Sequence, residues 1–460
     1  MNKRLISLMA AALVLLSASG QVSFTNVGQH QPIEVKPEMS TGLDMIFVVF
    51  DTQGVGMSFA SNNGERAVWY NYDSRGASYA LDPIEDIRWD GYSTTLDQVI
   101  PNSGYIIEVG TKRYYYWVVN YADYYMELND MFINNDQPCS LVSFRVDGYA
   151  PKIIYTDING HHLVLDRKIK LSYGDLVWDD TNHWPDEPLP VVETFESLDD
   201  PITIAPPLCN TLFTLSGDCF LEQWGLEETI DEVYFETHAV ACGTTAVQEE
   251  RGNNNEKENE KDKDYDNGRY GGSAPVHIVF TGYPTDAVVY RVWEMATDED
   301  FENVILQYNQ DEVDYTFNEY GTYYMRYRVA NADGSCEAYS DVYTITVSES
   351  QLECPNVFSP GSTEGINDIW KVSYKSLVEF HCWIFNRWGT LVCEFTDPGS
   401  GWDGTYHGKL VDTGVYYYVV TALGSDGVKY KRRGDITIMR YKKGASGTSG
   451  GMTGDDTGGY

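Results

Sequence analysis

The chain has 460 residues, 69 acidic against 32 basic side chains, and a net charge of −37. That length exceeds a single core and implies three or four domains of about 100 residues each. A hydrophobic content of 42% excludes a largely disordered chain, and the negative charge excludes basic-cluster recognition of nucleic acid or anionic lipid. With 35 Tyr, 17 Phe and 11 Trp, the composition favours pleated, half-buried strands. The expected fold class is all-β: tandem Ig-like or PKD-like β-sandwich domains ending in a smaller β-sandwich.

The first element is a leader. Lys3 and Arg4 precede an apolar run from Leu5 to Leu16, and Ala18 and Gly20 stand at −3 and −1 before Gln21. A basic start, a short apolar segment and small residues at the cut describe a secretory signal peptide over residues 1–20. The run is too short to span a bilayer, which takes about 20 apolar residues. Its removal leaves 69 acidic against 30 basic residues, a net −39. The eight cysteines, Cys139, Cys209, Cys219, Cys242, Cys336, Cys354, Cys382 and Cys393, show no paired CxxC spacing, so disulfides are favoured over zinc.

Two sandwiches of Ig or fibronectin type are expected over 21–148 and 149–247. The first contains the strand-like stretch from Gly110 to Asn120, GTKRYYYWVVN. In the second, Asn159-Gly160 ahead of His161-His162 predicts a hairpin turn, and a turn of helix is expected near Glu222 to Glu232. Between them lies an acidic, aromatic loop with Trp178, Asp179, Asp180, Trp184, Asp186 and Glu187. Carboxylates beside two indoles could hold calcium or stack on a sugar, while a plain solvated loop has the same composition. Residues 248–273, with dense charge of both signs and no aliphatic side chain, predict a flexible linker.

A sandwich is expected next, over 274–350. Tyr323, Met325, Tyr327 and Val329 alternate with Tyr324, Arg326 and Arg328, a period of two that puts one strand face on a core. Asn331-Ala332-Asp333-Gly334 reads as a turn. With the Trp293-Glu294 strand and the run Tyr315 to Tyr323, this region resembles a PKD-type Ig-like domain, although WEMATDED stands where that family often carries WxFGDG.

The most informative stretch is the expected module over 351–441, followed by a Gly- and Ser-rich flexible tail over 442–460. Five blocks occur in order: PNVFSPGSTEGIND (Pro355 to Asp368), FHCWIFNRWGTLVCEF (Phe380 to Phe395), GWDG (Gly401 to Gly404), DTGVYYYVV (Asp412 to Val420) and KRRGDITIMR (Lys431 to Arg440). They resemble the gliding motility-associated C-terminal domain of Bacteroidetes proteins, the type B sorting domain of the type IX secretion system. The residues carrying that resemblance are Pro355, Asn356, Phe358, Pro360, Gly365, Asn367, Asp368, Phe385, Asn386, Arg387, Trp388, Gly389, Trp402, Asp403, Gly404, Gly414, Tyr416, Gly434 and Arg440. The resemblance implies Sec-dependent export, then outer-membrane passage through the type IX translocon with a PorP/SprF-like partner. The loop from Ser359 to Asp368 lacks the family's Asn-Gly-Asp, which sets calcium binding there in question.

From the residues alone, Asn386 to Gly389 and Asp426-Gly427 predict hairpin turns. If the first closes with a two-residue loop at Arg387-Trp388, Cys382 and Cys393 lie opposite each other and form a disulfide. Cys354 to Arg440 holds nine basic and nine acidic residues, so this module is neutral and the whole excess of negative charge lies upstream. Its basic run from Lys429 to Arg433 serves either to dock a partner or to guard an exposed strand edge.

No HExxH, GxSxG, P-loop or GxGxxG context occurs, and no catalytic residue or cofactor is assigned. The expected function is a secreted or cell-surface, non-enzymatic β protein with an adhesin-like, binding or structural role and an unidentified surface ligand. The alternative is a secreted hydrolase with its catalytic module within 22–247.

Overall fold

The computed structural model describes residues 21–61, 64–257, 263–361 and 367–439. The leader, Gly365, Arg440 and the tail lie outside these described residues. Strands dominate, as expected. Among the described residues the only α-helix is Cys219–Trp224, and no helix there is long and apolar enough to cross a membrane. The chain divides into two compact units, residues 1–178 with 184–239, and 179–183 with 240–460.

In the first unit, a four-stranded sheet faces a five-stranded one in which Met45–Val49 is the second strand. All five residues of that strand are buried. Alternation sends Met45, Phe47 and Val49 into one core with Met57, Phe59, Trp69 and Tyr105. Ile46 and Val48 enter a second core with Trp117, Val119, Phe144, Leu171 and Phe213. One sheet is thus covered on both faces, which is why its strands read as unbroken apolar runs. The second core belongs to the sheets containing Glu127–Gln137, Leu141–Tyr149 and Ile169–Asp175. The boundary expected at 148 falls inside Leu141–Tyr149, which is paired with Glu127–Gln137, so the second module starts well before it. Continuous strand alternation on both sides hid that junction.

Thr156 and His162 close the predicted hairpin at Asn159-Gly160, with Asp157 accepting from the backbone N–H of Asn159 and His161 at 2.8 Å each. The helix is displaced from its expected place. Asp218 caps it by accepting from the N–H groups of Phe220 and Leu221, and Gly225, at φ 72, ends it. The residues from Thr229 onward form the strand Thr229–Phe235 instead. The cap is also half of a buried ion pair. Arg167 Nε donates to Asp218 Oδ2 at 2.7 Å, Tyr121 Oη donates to the same oxygen at 2.9 Å, and both charged side chains have no exposed surface.

In the second unit, the strand Cys242–Gln248 pairs with Val276–Pro284, which pairs with Glu312–Phe317. A second sheet, running from Arg269–Gly272 through Tyr343–Val347, Gly321–Ala330 and Tyr290–Ala296 to Val304–Tyr308, closes an Ig-like sandwich. Ile278, Phe280, Trp293, Met325, Tyr327 and Ile345 fill its core. The alternation expected for Tyr323 to Val329 holds at Met325, Tyr327 and Val329, all fully buried. This module starts at Cys242, not at 274, so the expected 248–273 linker is an excursion within it. Arg269–Gly272 is a strand of the sandwich, paired parallel with Tyr343–Val347.

The near end of that excursion is hydrogen-bonded to the C-terminal module. Asn255 Nδ2 donates to the carbonyls of Val372 and Pro398 at 2.8 Å each, Lys257 N to Tyr374 O at 2.7 Å, and Tyr374 N to Asn255 O at 3.1 Å. Composition missed this because Asn side chains and backbone groups, not aliphatic side chains, make the contact. A second set of bonds joins the same two modules. Ser376 N donates to Ser273 Oγ at 2.7 Å, Ser425 Oγ to Ser348 O at 2.8 Å, and Ser350 Oγ to Asp426 Oδ1 at 2.7 Å.

His277 lies between Asp314 and Glu249 on the outer side of the three-stranded sheet. The Asp314 hydrogen bond, opposed by slight desolvation and helped by Glu249, holds its pKa above the ordinary value. A raised folded-state pKa gives a stabilisation that is complete below the unfolded value of about 6.5 and lost as pH rises through the folded value. The expected result is that protection factors of amides around His277, corrected for the intrinsic base-catalysed rate, are lower above neutrality than at pH 6. His277→Gln should flatten that dependence in hydrogen-exchange measurements.

Candidate functional site: the C-terminal module

Residues 351–439 form a five-stranded sheet in the order Val357–Phe358, Lys429–Ile438, Gly414–Gly424, Leu377–Phe385 and Leu391–Phe395, with two short two-stranded ribbons beside it. The separate motif blocks meet in one core. Val357–Phe358 runs parallel to the end of Lys429–Ile438, with Thr437 N donating to Asn356 O at 2.8 Å. Trp370 and Trp402, both fully buried, exchange backbone hydrogen bonds of 2.8 and 2.9 Å. The Trp402 ring lies 5.4 Å from Phe358 and 5.2 Å from Tyr416, and the Trp370 ring 5.3 Å from Tyr418. Trp370 Nε1 donates to Pro355 O at 2.7 Å and Trp402 Nε1 to Thr405 O at 2.9 Å, so neither indole N–H is left unpaired in the core.

The small and polar motif residues serve this packing. Asp403 accepts from Thr405 N and Oγ1 at 2.8 and 2.7 Å, and Gly404 sits at φ 76 where a Cβ would lie 2.7 Å from Pro360. Gly414 begins its strand at φ 145, and Tyr416 Oη donates to Asp412 O at 3.1 Å. A Cβ on Gly434 would stand 2.6 Å from Tyr418 Oη. Gly434→Val is therefore expected to destabilise the module by about 1–3 kcal/mol through overpacking, read in urea unfolding. In the partly described loop, Asn367 O accepts from Ser359 N at 2.9 Å and Asp368 Oδ1 from Gly361 N at 3.0 Å. Among the described residues, no group of three or more His, Cys, Asp or Glu is placed to hold a metal.

The hairpin after Phe385 differs from the expected one. Asn386 Oδ1 accepts from Trp388 N at 3.0 Å and Thr390 N at 2.9 Å, and Gly389 takes φ 82. This makes a loop over residues 386–390 with a bulge, so Phe385 pairs Leu391 while Ile384 pairs Cys393. Cys382 faces Phe395 instead, and both Cys382 and Cys393 are free thiols. The predicted disulfide fails because the Asn386 side chain stabilises a longer loop than two residues. Cys139 and Cys336 are the residues found in disulfide form.

Two surface features of the module stand apart from its core. Trp388 is 74% exposed at the hairpin tip, with the Arg387 guanidinium 4.2 Å above its ring. The exposed residues Lys429, Lys431, Arg432 and Arg433 lie on the strand Lys429–Ile438, which Val357–Phe358 covers only at Thr437 and Ile438. Trp388→Ala is expected to shift stability by no more than about 0.5 kcal/mol.

In the acidic, aromatic loop upstream, Asp179 is engaged by its own turn. Asp179 Oδ1 accepts from Thr181 N, Asn182 N and Asn182 Nδ2 at 2.7–3.0 Å, bonds that hold its carboxyl below the usual range. Asp179 and Asp180 belong to the second unit, whereas Trp178, Trp184, Asp186 and Glu187 belong to the first. Within the first unit the two indoles meet edge to face at 5.2 Å.

Family comparison matches the C-terminal module directly: residues 352–438 match the CHU_C Type IX secretion signal domain. The module is a type IX secretion signal domain. Such a signal marks the protein for export by that system, to the cell surface or beyond. Residues 131–232 match a fibronectin type III domain, which agrees with a second module that starts before 148. No curated protein matches the chain. Similar solved structures include a tetra-tandem repeat from the extending region of a large adhesion protein, at 10% identity over 85% of this chain and 97% of that one, TM-score 0.21. Others are three N-terminal domains of the outer capsid protein Hoc of bacteriophage RB49 (9% identity, 69% and 100% covered, TM-score 0.21) and the FN1–FN3 domains of chicken CNTN1 (9%, 69% and 97%, TM-score 0.22).

Proposed function

We propose that this is a non-enzymatic, adhesin-like surface protein, exported through the Sec route on residues 1–20 and then delivered by its C-terminal signal domain. The third sandwich is read as PKD-type. The observation that carries the proposal is the convergence of the five ordered motif blocks on one core around Trp370 and Trp402. A PorP/SprF-like outer-membrane protein is the proposed partner. The exposed Arg387–Trp388 tip and the cationic strand are the contacts offered to it.

Against the hydrolase alternative, the face between the two N-terminal sandwiches is filled by Ile46, Val48, Trp117 and Val119. A catalytic cleft across both modules would need that space. The experiment is deletion of residues 352–460 followed by cell fractionation. The shortened protein is expected to accumulate in the periplasm, and undiminished surface delivery would overturn the proposal.

A further inference from the structure

The second unit carries a cavity of about 560 Å³ on the outer face of the Ig-like sandwich. Strand register explains how it forms. Tyr290 pairs Ala330, which pairs Glu337, and Val292 pairs Arg328, which pairs Tyr339. Side chains alternate, so these two rows share one face while Trp293 and Tyr327, one residue along, point into the core. Tyr290, Val292, Asn309, Arg328, Ala330 and Glu337 line the cavity. Tyr290 is 60% exposed, an aromatic wall beside a small apolar floor.

The polar groups in this cavity are held in place before any ligand arrives. Arg328 Nε donates to Glu337, and Arg328 Nη1 stands 3.6 Å from buried Glu294. Tyr339 Oη donates to Glu337 Oε2 at 2.7 Å. The adjoining turn is closed by Asn331 N donating to Cys336 O, and Cys336 N to Asn331 Oδ1, at 3.1 Å each. Gly334 in that turn takes φ 71 with no atom within 4 Å of a Cβ position, so the rim stays open. Rigid strands and locked side chains are the conditions for a preorganised binding site.

We infer that this cavity binds a neutral carbohydrate, one pyranose ring stacking on Tyr290 while its hydroxyls bond Arg328, Glu337 and Asn309. A ring of C–H groups suits an exposed aromatic face, and vicinal hydroxyls suit a fixed donor beside a fixed acceptor. The guanidinium and carboxylate already neutralise each other, so an ionic ligand would have to break their pair, whereas a polyol can bridge it. The volume falls within the range of small-molecule sites and admits about one or two sugar rings. The inference deepens the adhesive reading and rests on it for its purpose, though the binding itself needs no export.

The test uses the purified mature chain, residues 21–460. Cellotetraose, xylotetraose, mannotetraose, maltotetraose and chitotetraose are offered as neutral probes and tetragalacturonate as an acidic one. Saturation-transfer NMR at millimolar concentration is followed by calorimetric titration. The expected result is binding of at least one neutral probe, weakened at least about tenfold by both Tyr290→Ala and Glu337→Gln and unaffected by Tyr92→Ala, an exposed aromatic of the first unit. Thermal melting of the variants separates lost binding from lost folding, and the isosteric Glu337→Gln keeps the test open if Tyr290→Ala misfolds. Binding by none of the neutral probes, binding of tetragalacturonate alone, or binding that survives both substitutions in folded protein would overturn the inference. None of these results bears on delivery of the 352–460 deletion, so failure here and failure of the export reading are told apart.

Discussion

Replacing Asp218 by alanine is expected to cost the first unit about 3–5 kcal/mol, the range for stranding one partner of a buried ion pair. The substitution leaves Arg167 charged and without exposed surface, deprives Tyr121 Oη of an acceptor, and uncaps Cys219–Trp224. These losses share one oxygen pair and are not additive. Burial, followed by the Asp218 charge, pushes the Tyr121 hydroxyl far above its usual pKa, so it stays protonated as a donor. Urea unfolding of the described first unit's signals measures the loss. The double variant Arg167→Met with Asp218→Leu should recover the share due to the stranded charge, because an apolar pair removes the desolvation cost along with the attraction, while the helix cap and the acceptor for Tyr121 stay lost. A double variant as unstable as Asp218→Ala would show that the stranded charge is not what sets the loss, and that the cap, the Tyr121 acceptor and the ion pair itself carry it.

The second large effect is expected at Trp402. Truncation to alanine removes a fully buried indole that touches Phe358 and Tyr416 and bonds Thr405 O, a loss of about 3–5 kcal/mol. A module of this size has little more stability than that to lose. Trp402→Ala should therefore both lower the melting temperature of the C-terminal module and leave the protein in the periplasm. Trp402→Phe should do less of each. Surface delivery of Trp402→Ala at the wild-type level would mean that the signal is read as an extended sequence, without its folded core.

The contrast between Trp402 and Trp388 marks what could be read from residue order. Both indoles belong to motif blocks of the chain, WDG and NRWG, and nothing local separates them. One is buried by strands distant in sequence and the other is 74% exposed. The strands themselves were legible because their period of two is local, as at Met325, Tyr327 and Val329. Module boundaries were not, since Met45–Val49 is apolar on both faces and the first strand of the third sandwich, Cys242–Gln248, lies on the far side of a charged excursion. The cysteine pairing failed on one hydrogen-bonding side chain, Asn386, which lengthens a loop. The cavity beside Tyr290 was illegible for a similar reason. It depends on the register that sets Arg328 next to Glu337, and register is a property of strand pairs.

The route of residues 249–257 has a consequence for proteolysis. A peptidase that nicks the chain between Ser350 and Gln351 would cut the direct covalent path into the signal domain. It would not sever Asn255 from Val372 and Pro398, nor Ser425 from Ser348. The two fragments are expected to travel together through size-exclusion chromatography and to part only in denaturant. Removal of the label after delivery would thus require dissociation as a second, separate event.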